Sequence, residues 1–392
     1  MKVSTMLRVA IIGAGLGGLC LAQGLHRRRV AFEVFERDPA LNSRTQGYRF
    51  RLDEQGRQSL GQCLPDDLYE LVRETCAVTL SGGRFIDTGM NEIVGRAVDT
   101  WSPGEVADAP EVPGDLSVNR STLREVLLSG IADRVHFGKA LTRVTEFHDR
   151  VTARFADGTT VTADVLIAAD GANSTVRQQL SLPEPSETGA ACTYGKIVLT
   201  PSTRAALPAS LLTGTSVVFA PDHAVILDAM LFRPQPFEAH PGLTPVPDYL
   251  YFAFFGPADA LGHLNRSGPE ILRMIGESTA DWHPGLRAAF AAADPNTVAA
   301  TAVRTADTVP ALPEDRITLL GDAIHAMSPA AGLGANTALR DAATLAEALG
   351  APRTGDRSPA TALRAYESRM RDYATAAVAA SAAGTALLTS RA

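Results

Sequence analysis

Lysine, tryptophan, paired cysteines, long apolar runs and a basic surplus are all scarce or missing in this chain. Lysine occurs only at Lys2, Lys139 and Lys196 among 36 basic residues, a bias of base composition with no chemical reading. The formal charge of -7 and isoelectric point near 5.7 argue against nucleic acid as a partner, which calls for a basic face or stripe. The one dense cationic run, Arg27-Arg28-Arg29, falls where a first helix should end and reads as a cap or a solvated turn. Cys20, Cys63, Cys76 and Cys192 form no CxxC pair and have no histidine at zinc spacing, so no metal site is expected. They read as reduced thiols of a cytoplasmic protein. Val9 to Ala22 is uncharged and could pass for a signal peptide, but four glycines interrupt it. Tyr373 to Ser390 is also uncharged, yet consists mostly of Ala, Thr and Ser. That suits a packed terminal helix and not stable membrane insertion.

What the chain does have is glycine at chosen places. At 392 residues and 45% hydrophobic content it can bury a large core and exceeds one typical domain, which points to two interleaved lobes. Val9-Ala10-Ile11-Ile12 suits a buried parallel strand, and Leu19, Leu21, Ala22 and Leu25 suit a helix laid on it. Between them stands Gly13-Ala14-Gly15-Leu16-Gly17-Gly18. At such a turn Gly13 permits the bend, Gly15 lets backbone N–H groups approach a pyrophosphate, and Gly18 lets helix and strand touch. The helix N-terminus adds the positive end of a dipole. A second strand, Ala31 to Glu36, ends in a carboxylate 18 residues beyond Gly18, about the spacing that reaches a ribose hydroxyl pair. Glu36, with Arg37 beside it, is the ribose candidate, and its charge favours an unphosphorylated ribose.

Two further motifs lie far downstream. Ser121 is the expected N-cap of a helix carrying Leu123, Val126, Leu127 and Ile131, with Arg120 just before it. Leu141 to Phe147, Val151 to Phe155 and Thr160 to Ala163 read as a small antiparallel meander turning at Asp157-Gly158. It leads into a buried strand that closes on Asp170-Gly171, followed by Ser174 and Arg177. Arg316 to Leu320 is another strand and ends in Gly321-Asp322, where Asp322 can accept hydrogen bonds from polyol hydroxyls. Gly332-Leu333-Gly334-Ala335-Asn336 then opens a long helix through Leu345 and Leu349, whose N-terminal amides can meet an anionic or carbonyl-rich ring edge. His325, beside a turn proline, reads as structural.

In this order the three motifs resemble the fingerprints of the para-hydroxybenzoate hydroxylase-like family of single-component (class A) FAD-dependent aromatic hydroxylases, over essentially the whole chain. The resemblance implies an α/β fold with a Rossmann-like FAD-binding domain of the glutathione-reductase type. A substrate domain on a mainly antiparallel sheet is interleaved with it, and C-terminal helices follow. The expected division gives FAD-binding segments at 1–70, 101–185 and 301–350, substrate segments at 71–100 and 186–300, and a helical region at 351–392. The resemblance also implies FAD as cofactor, NADPH or NADH as co-substrate, and O2. Gly13 to Gly18, Glu36 and Arg37 would hold the ADP half, with Leu141 nearby and Arg120 near the flavin or its linker. Asp170-Gly171 would have a dual structural and NAD(P)H-related role. Asp322 would bind ribityl or ribose hydroxyls, and Gly332, Leu333, Gly334, Ala335 and Asn336 would face the isoalloxazine. No second GxGxxG occurs, because Thr337 takes the third glycine's place, and the only tryptophans, Trp101 and Trp282, do not form the WxWxIP motif of flavin halogenases.

Substrate choice is expected in the stretches that match no motif. Ser216 to Ala220, Ala224 to Phe232 and Tyr249 to Phe255 would form a sheet over the flavin, with Tyr194, Met230, Phe232, Tyr251 and Phe254 as pocket candidates. Alternation should turn Tyr251 and Phe254 opposite ways. It also places Arg49 and Arg51 on one face, toward flavin, an anionic substrate or an NAD(P)H phosphate, or toward solvent. The expected reaction is hydroxylation of a hydrophobic aromatic or polycyclic small molecule by a C4a-hydroperoxyflavin, with no acid or base residue named. Epoxidation, oxidative rearrangement or dehydrogenation on the same cofactor, and a non-catalytic FAD-binding protein, are the alternatives. Oligomeric state is not legible.

Overall fold

Strands that are apolar along their whole length need cover on both faces, and the chain supplies it with helices. In the computed structural model, residues 7–41, 43, 48–80, 83–93, 114–313, 315–351 and 358–389 are described. Five parallel strands form one sheet, in the order Ile317–Leu319, Val165–Ala168, Arg8–Ile12, Ala31–Phe35, Val135–His136. Val165 to Ala168 is wholly buried, as expected of a central strand covered on both faces. Helix Leu16–Arg27 follows the first strand directly and packs against helix Leu333–Gly350. It ends at the arginine run, where Arg27 donates to Gly61 O at 2.9 Å and Arg28 to Gly24 O at 3.1 Å, so the run serves as a cap.

Six strands form the second sheet, in the order Ala299–Thr305, Ser186–Val198, Tyr249–Pro257, Ala224–Met230, Thr215–Phe219, Arg84–Asp87. All pairs are antiparallel except the last. The strand Ala299–Thr305 straddles the expected boundary at 300/301 and pairs with Ser186–Val198, so the antiparallel layer runs a few residues further than expected. Side chains on alternate positions sort into two cores. Val225, Leu227, Phe252 and Phe254 pack outward with Trp282 and Phe290, while Ala224, Met230, Tyr249, Tyr251 and Phe255 face the parallel-sheet domain.

Strands Arg49–Leu52 and Leu116–Asn119 pair as a small ribbon between the two layers, and the meander of Leu141–Glu146, Val151–Phe155 and Thr160–Ala163 forms a third sheet. The helix after the ribbon is Arg120–Leu128, and its cap is Asn119 rather than Ser121. Asn119 ends the strand in extended backbone and its side chain accepts from Thr122 N at 3.1 Å, whereas Ser121 is already helical. Arg120 is thus the first helical residue, and Ile131 lies beyond the helix. The terminal helix Pro359–Thr389 packs on Leu333–Gly350, and Tyr366 donates to Leu319 O at 2.9 Å. Among the described residues no helix is long and apolar enough to cross a membrane. Trp101 and the expected 100/101 boundary lie outside the described residues.

Candidate active site

Each glycine of the first fingerprint meets a different demand. Gly13 sits at φ +109, and a Cβ there would overlap the Ala169 carbonyl of the neighbouring strand. A Cβ on Gly18 would overlap the Gly13 carbonyl, so strand and helix meet backbone to backbone. At Gly15 a Cβ would meet nothing within 4 Å. Its bare backbone borders a cavity of about 320 Å³, together with Glu36, Arg37, Arg120, Leu141, Asp170 and Gly171. Glu36 is buried, and its two oxygens accept from Ala14 N at 2.7 Å and Asp38 N at 2.9 Å. An ionised carboxylate has about four acceptor sites, so two remain for hydroxyl donors. Arg124, not singled out from sequence, is buried and donates to Ala14 O at 3.1 Å and Leu41 O at 2.6 Å, which clamps the outside of the glycine turn. Asp170 Oδ2 accepts from Thr175 N at 2.8 Å, while its Oδ1 is buried without a hydrogen-bond partner. Burial pushes this carboxyl up from its ordinary pKa, against the hydrogen bonds that pull it down.

A second cavity, of about 350 Å³, adjoins the first and shares Gly15, Arg120, Ala169 and Gly171 with it. Leu16, Gly17 and Gly18 border it from the first fingerprint, and Asp322, Gly332, Gly334 and Ala335 from the third. Gly321 turns the chain at φ +62 and Gly332 at φ +68, the left-handed region that favours glycine. Asp322 stands on the wall of this cavity, its side chain accessible from it. Burial pushes its pKa up, and the charges of His325 and Arg120 pull it back. Burial likewise pulls the Arg120 guanidinium down against the opposing charge of Asp322, and Arg120 Nε is buried with no hydrogen-bond partner.

His325 does not reach the cavity. It is wholly buried, its Nε2 stands 2.6 Å from Asp341 Oδ2, and that oxygen also accepts from Gly321 N at 2.7 Å. Tyr373 donates to the other Asp341 oxygen at 2.7 Å. The network fixes the Gly321-Asp322 turn from behind, a structural role of the kind expected. Leu333 and Asn336, expected at the ring, are not on the cavity wall. Asn336 donates to Arg51 O at 2.9 Å and accepts from Asp53 N at 3.3 Å, because a buried carboxamide in the first turn of a helix finds backbone partners before it finds a ligand.

The antiparallel sheet closes the second cavity with side chains from alternate positions. Tyr194 and Tyr251 line it as expected, and Cys192, Ile226, Phe255 and Thr301 do so unforeseen. The pairing register explains the set: Tyr194, Ala253 and Ile226 stand side by side across three strands, as do Cys192, Phe255 and Ala224. Phe254 does not line the cavity, since its neighbour Phe255 takes that face and Phe254 packs against Trp282 and Phe290. Met230 and Phe232 do not reach it either. Met230 is on the right face but beyond Asp228, and Phe232 lies past the strand end, against Phe237 and Tyr249. Arg49 and Arg51 share one face of their strand and both line the cavity, Arg49 paired with Asp228 and Arg51 with Asp115.

A family model described as an FAD binding domain matches residues 121–381, and one described as an NAD(P)-binding Rossmann-like domain matches residues 11–59. This chain belongs to the class A FAD-dependent aromatic hydroxylase family. Within the family it is 30% identical to 3-amino-4-hydroxybenzoate 2-monooxygenase of Streptomyces cremeus, over 92% of this chain and 82% of that one. It is 36% identical to the dual O-methyltransferase/FAD-dependent monooxygenase CTB3 of Cercospora beticola, over 93% of this chain and 44% of that protein. The chain thus spans less than half the length of that relative. Among solved structures, a provisionally named FAD-containing monooxygenase from Photorhabdus luminescens superposes with a TM-score of 0.81 at 27% identity, covering 97% of this chain and 98% of that one. The hydroxylase family's cofactor is FAD, and the residues present suit so long a ligand. The two cavities run on from each other, the glycine turn is open at Gly15, and Asp170 Oδ1 and Arg120 Nε offer buried, unused polar atoms.

Proposed function

We propose that this chain is an NAD(P)H- and O2-consuming FAD monooxygenase that hydroxylates an aromatic or polycyclic small molecule. The observation that carries the reading is the continuity of the groove, from the Gly13–Gly18 turn, past Arg120 and Asp322, to a chamber walled by Tyr194, Tyr251 and Phe255. FAD, when bound, supplies hydride acceptance from NAD(P)H and activation of O2. In this reading the glycine turn and its helix N-terminus hold the pyrophosphate, Glu36 and Arg37 the ribose end with Leu141 beside them, and Asp322 the hydroxyls of the linker. Gly332, Gly334 and Ala335 place the N–H groups of a long helix against the ring edge, where negative charge is favoured. Arg120 spans the junction of the two cavities, and Asp170-Gly171 serves both the turn and NAD(P)H approach. The sheet orients the arene and keeps water out, and no side chain is assigned a proton transfer. The domain division set out from sequence, with its antiparallel segment extended through Thr305, accompanies this reading. Four buried, free cysteines support a reducing, cytoplasmic setting.

Supplied with FAD, the protein should turn yellow and keep the flavin through gel filtration. NAD(P)H and O2 consumption should rise when an arene is added, and the product should gain one oxygen atom. Colourless protein overturns the proposal, and a product that has only lost two hydrogens replaces it with dehydrogenation.

A further inference from the structure

On the reading just given, the charges around the second cavity narrow the class of arene it takes. Three guanidinium groups line it, Arg49, Arg51 and Arg120, and such a set would normally mark a site for a carboxylate or phosphate. Here Arg49 and Arg51 each meet an acid of this same chain. Arg49 Nε stands 2.5 Å from Asp228 Oδ2, and both side chains are more than nine-tenths buried. Asp228 is itself held, since the Thr215 hydroxyl donates to its other oxygen at 2.8 Å. Arg51 donates to Asp115 at 2.5 Å, and Arg120 lies within the field of Asp322. The neighbouring ammonium, Lys196, sits 4.9 and 5.6 Å over the rings of Tyr48 and Tyr249 and does not line the cavity. Arg49 and Arg51 therefore each meet a carboxylate before any ligand arrives, while Arg120, its Nε without a hydrogen-bond partner, stands at the junction with the first cavity.

The rest of the sheet-side wall adds no charge. Ile226, Ala253 and Phe255 are apolar, and Cys192, Tyr194 and Tyr251 carry protons that burial holds in place, the Cys192 thiol being pushed up to about 12. A ring carboxylate on the sheet side of this chamber would lose its water and, among the described residues there, meet two guanidinium groups already paired with Asp228 and Asp115. Asp228, the partner of Arg49 behind the cavity wall, carries a like charge. A phenolic hydroxyl meets neither obstacle and finds neutral donors and acceptors on the wall.

We propose that Asp228 is a specificity-determining residue. By occupying Arg49 from within the sheet it makes the chamber select uncharged phenolic arenes and exclude aromatic acids, such as the hydroxybenzoate in the name of the Streptomyces cremeus relative. The sequence carries a trace of this, because Asp228 is the one charged residue in the otherwise apolar strand Ala224–Met230.

The test uses FAD-loaded protein and matched pairs, phenol with 4-hydroxybenzoate and 2-naphthol with 3-hydroxy-2-naphthoate, titrated by the change in flavin absorbance. In the native protein the neutral member of each pair should bind at least about tenfold tighter, a ratio that corresponds to 1.4 kcal/mol. Asp228→Asn should shrink that ratio about tenfold by tightening the acid, with the KM for NAD(P)H unchanged. The double variant Arg49→Met/Asp228→Leu removes both charges and should keep the neutral preference, so the outcome does not hang on one variant folding. The proposal is overturned if the native protein prefers the acids, or if neither neutral arene perturbs the flavin. It is equally overturned if Asp228→Asn leaves the ratio alone, or moves NAD(P)H KM or FAD retention in its place. Any of these with a normal flavin spectrum leaves the monooxygenase reading standing, whereas absence of a flavin spectrum removes both.

Discussion

Where the groove passes the first fingerprint it meets a turn of bare glycine backbone, whereas under the antiparallel sheet it meets side chains. Gly13, Gly15 and Gly18 work by what they lack, and Ala14 contributes only its N–H and carbonyl, used by Glu36 and Arg124. The sheet chamber instead depends on which residue stands at each alternate position, with Tyr251 and Phe255 inside and Phe254 outside. A backbone-built site tolerates few residues at few positions and changes little with sequence around it. A side-chain-built one can exchange its contents while its strands stay paired, which separates the ligand common to a family from the ligand that differs among its members.

The largest test of that contrast lies within the sheet. Phe254→Ala should destabilise the protein by about 3–5 kcal/mol, as for a large aromatic removed from a packed core, while leaving the KM for the arene near its native value. Tyr251→Ala should do the reverse, raising the KM with a smaller fall in melting temperature. Equal effects on both readouts for both variants would erase the distinction between faces. Next in size is a pair within the fingerprint. Gly18→Ala forces a methyl into the Gly13 carbonyl and should cost about 1–3 kcal/mol of stability, seen by thermal melting of the FAD-free protein. Gly15→Ala meets no atom and should melt like the native protein yet retain FAD poorly. If Gly15→Ala also lowers the melting temperature of the FAD-free protein, its openness is not reserved for a ligand.

The smallest effect calibrates these melts, because a carboxyl outside both regions titrates in the working range. Burial raises Glu367 from 4.5 to about 7, with Thr318, Arg371 and Arg364 pulling it down. The fold therefore favours its protonated form. The stability this contributes is complete below pH 4.5 and disappears as pH rises through about 7. Glu367→Gln stays neutral, so it should melt above the native protein at pH 8, by less than about 1 kcal/mol after solvent screening, and the gap should close toward pH 5. A gap independent of pH would assign the gain to packing.

The fingerprints were legible because a glycine's freedom is a local property, visible without knowing what lies across the turn. Glu36, Asp322 and the Gly332 loop shared that advantage, since each ends or begins an element whose periodicity marks its own boundary. The N-cap at Asn119 was missed because Ser121 has a good capping side chain but the wrong backbone, and the backbone depends on the strand Leu116–Asn119 pairing with Arg49–Leu52. Alternation along one strand announced that Tyr251 and Phe254 diverge. It could not announce that Ile226 and Cys192 stand in rows with the residues that line the cavity, because register between strands far apart in sequence is set only on folding. Met230 shows the same limit, on the right face but at the wrong end.

Asn336 joins these two materials. Its backbone lies in the first turn of the helix that borders the second cavity, and its carboxamide bonds the backbone of Arg51 and Asp53, two and four residues along the chain from Arg49. The helix start proposed to meet the cofactor and the ribbon that presents Arg49 and Arg51 to the cavity are therefore tied together through this side chain. On the proposed function, that tie places the wall at the cofactor and the wall at the arene on one hinge point, so a change of side chain at Asn336 should disturb flavin and arene binding together.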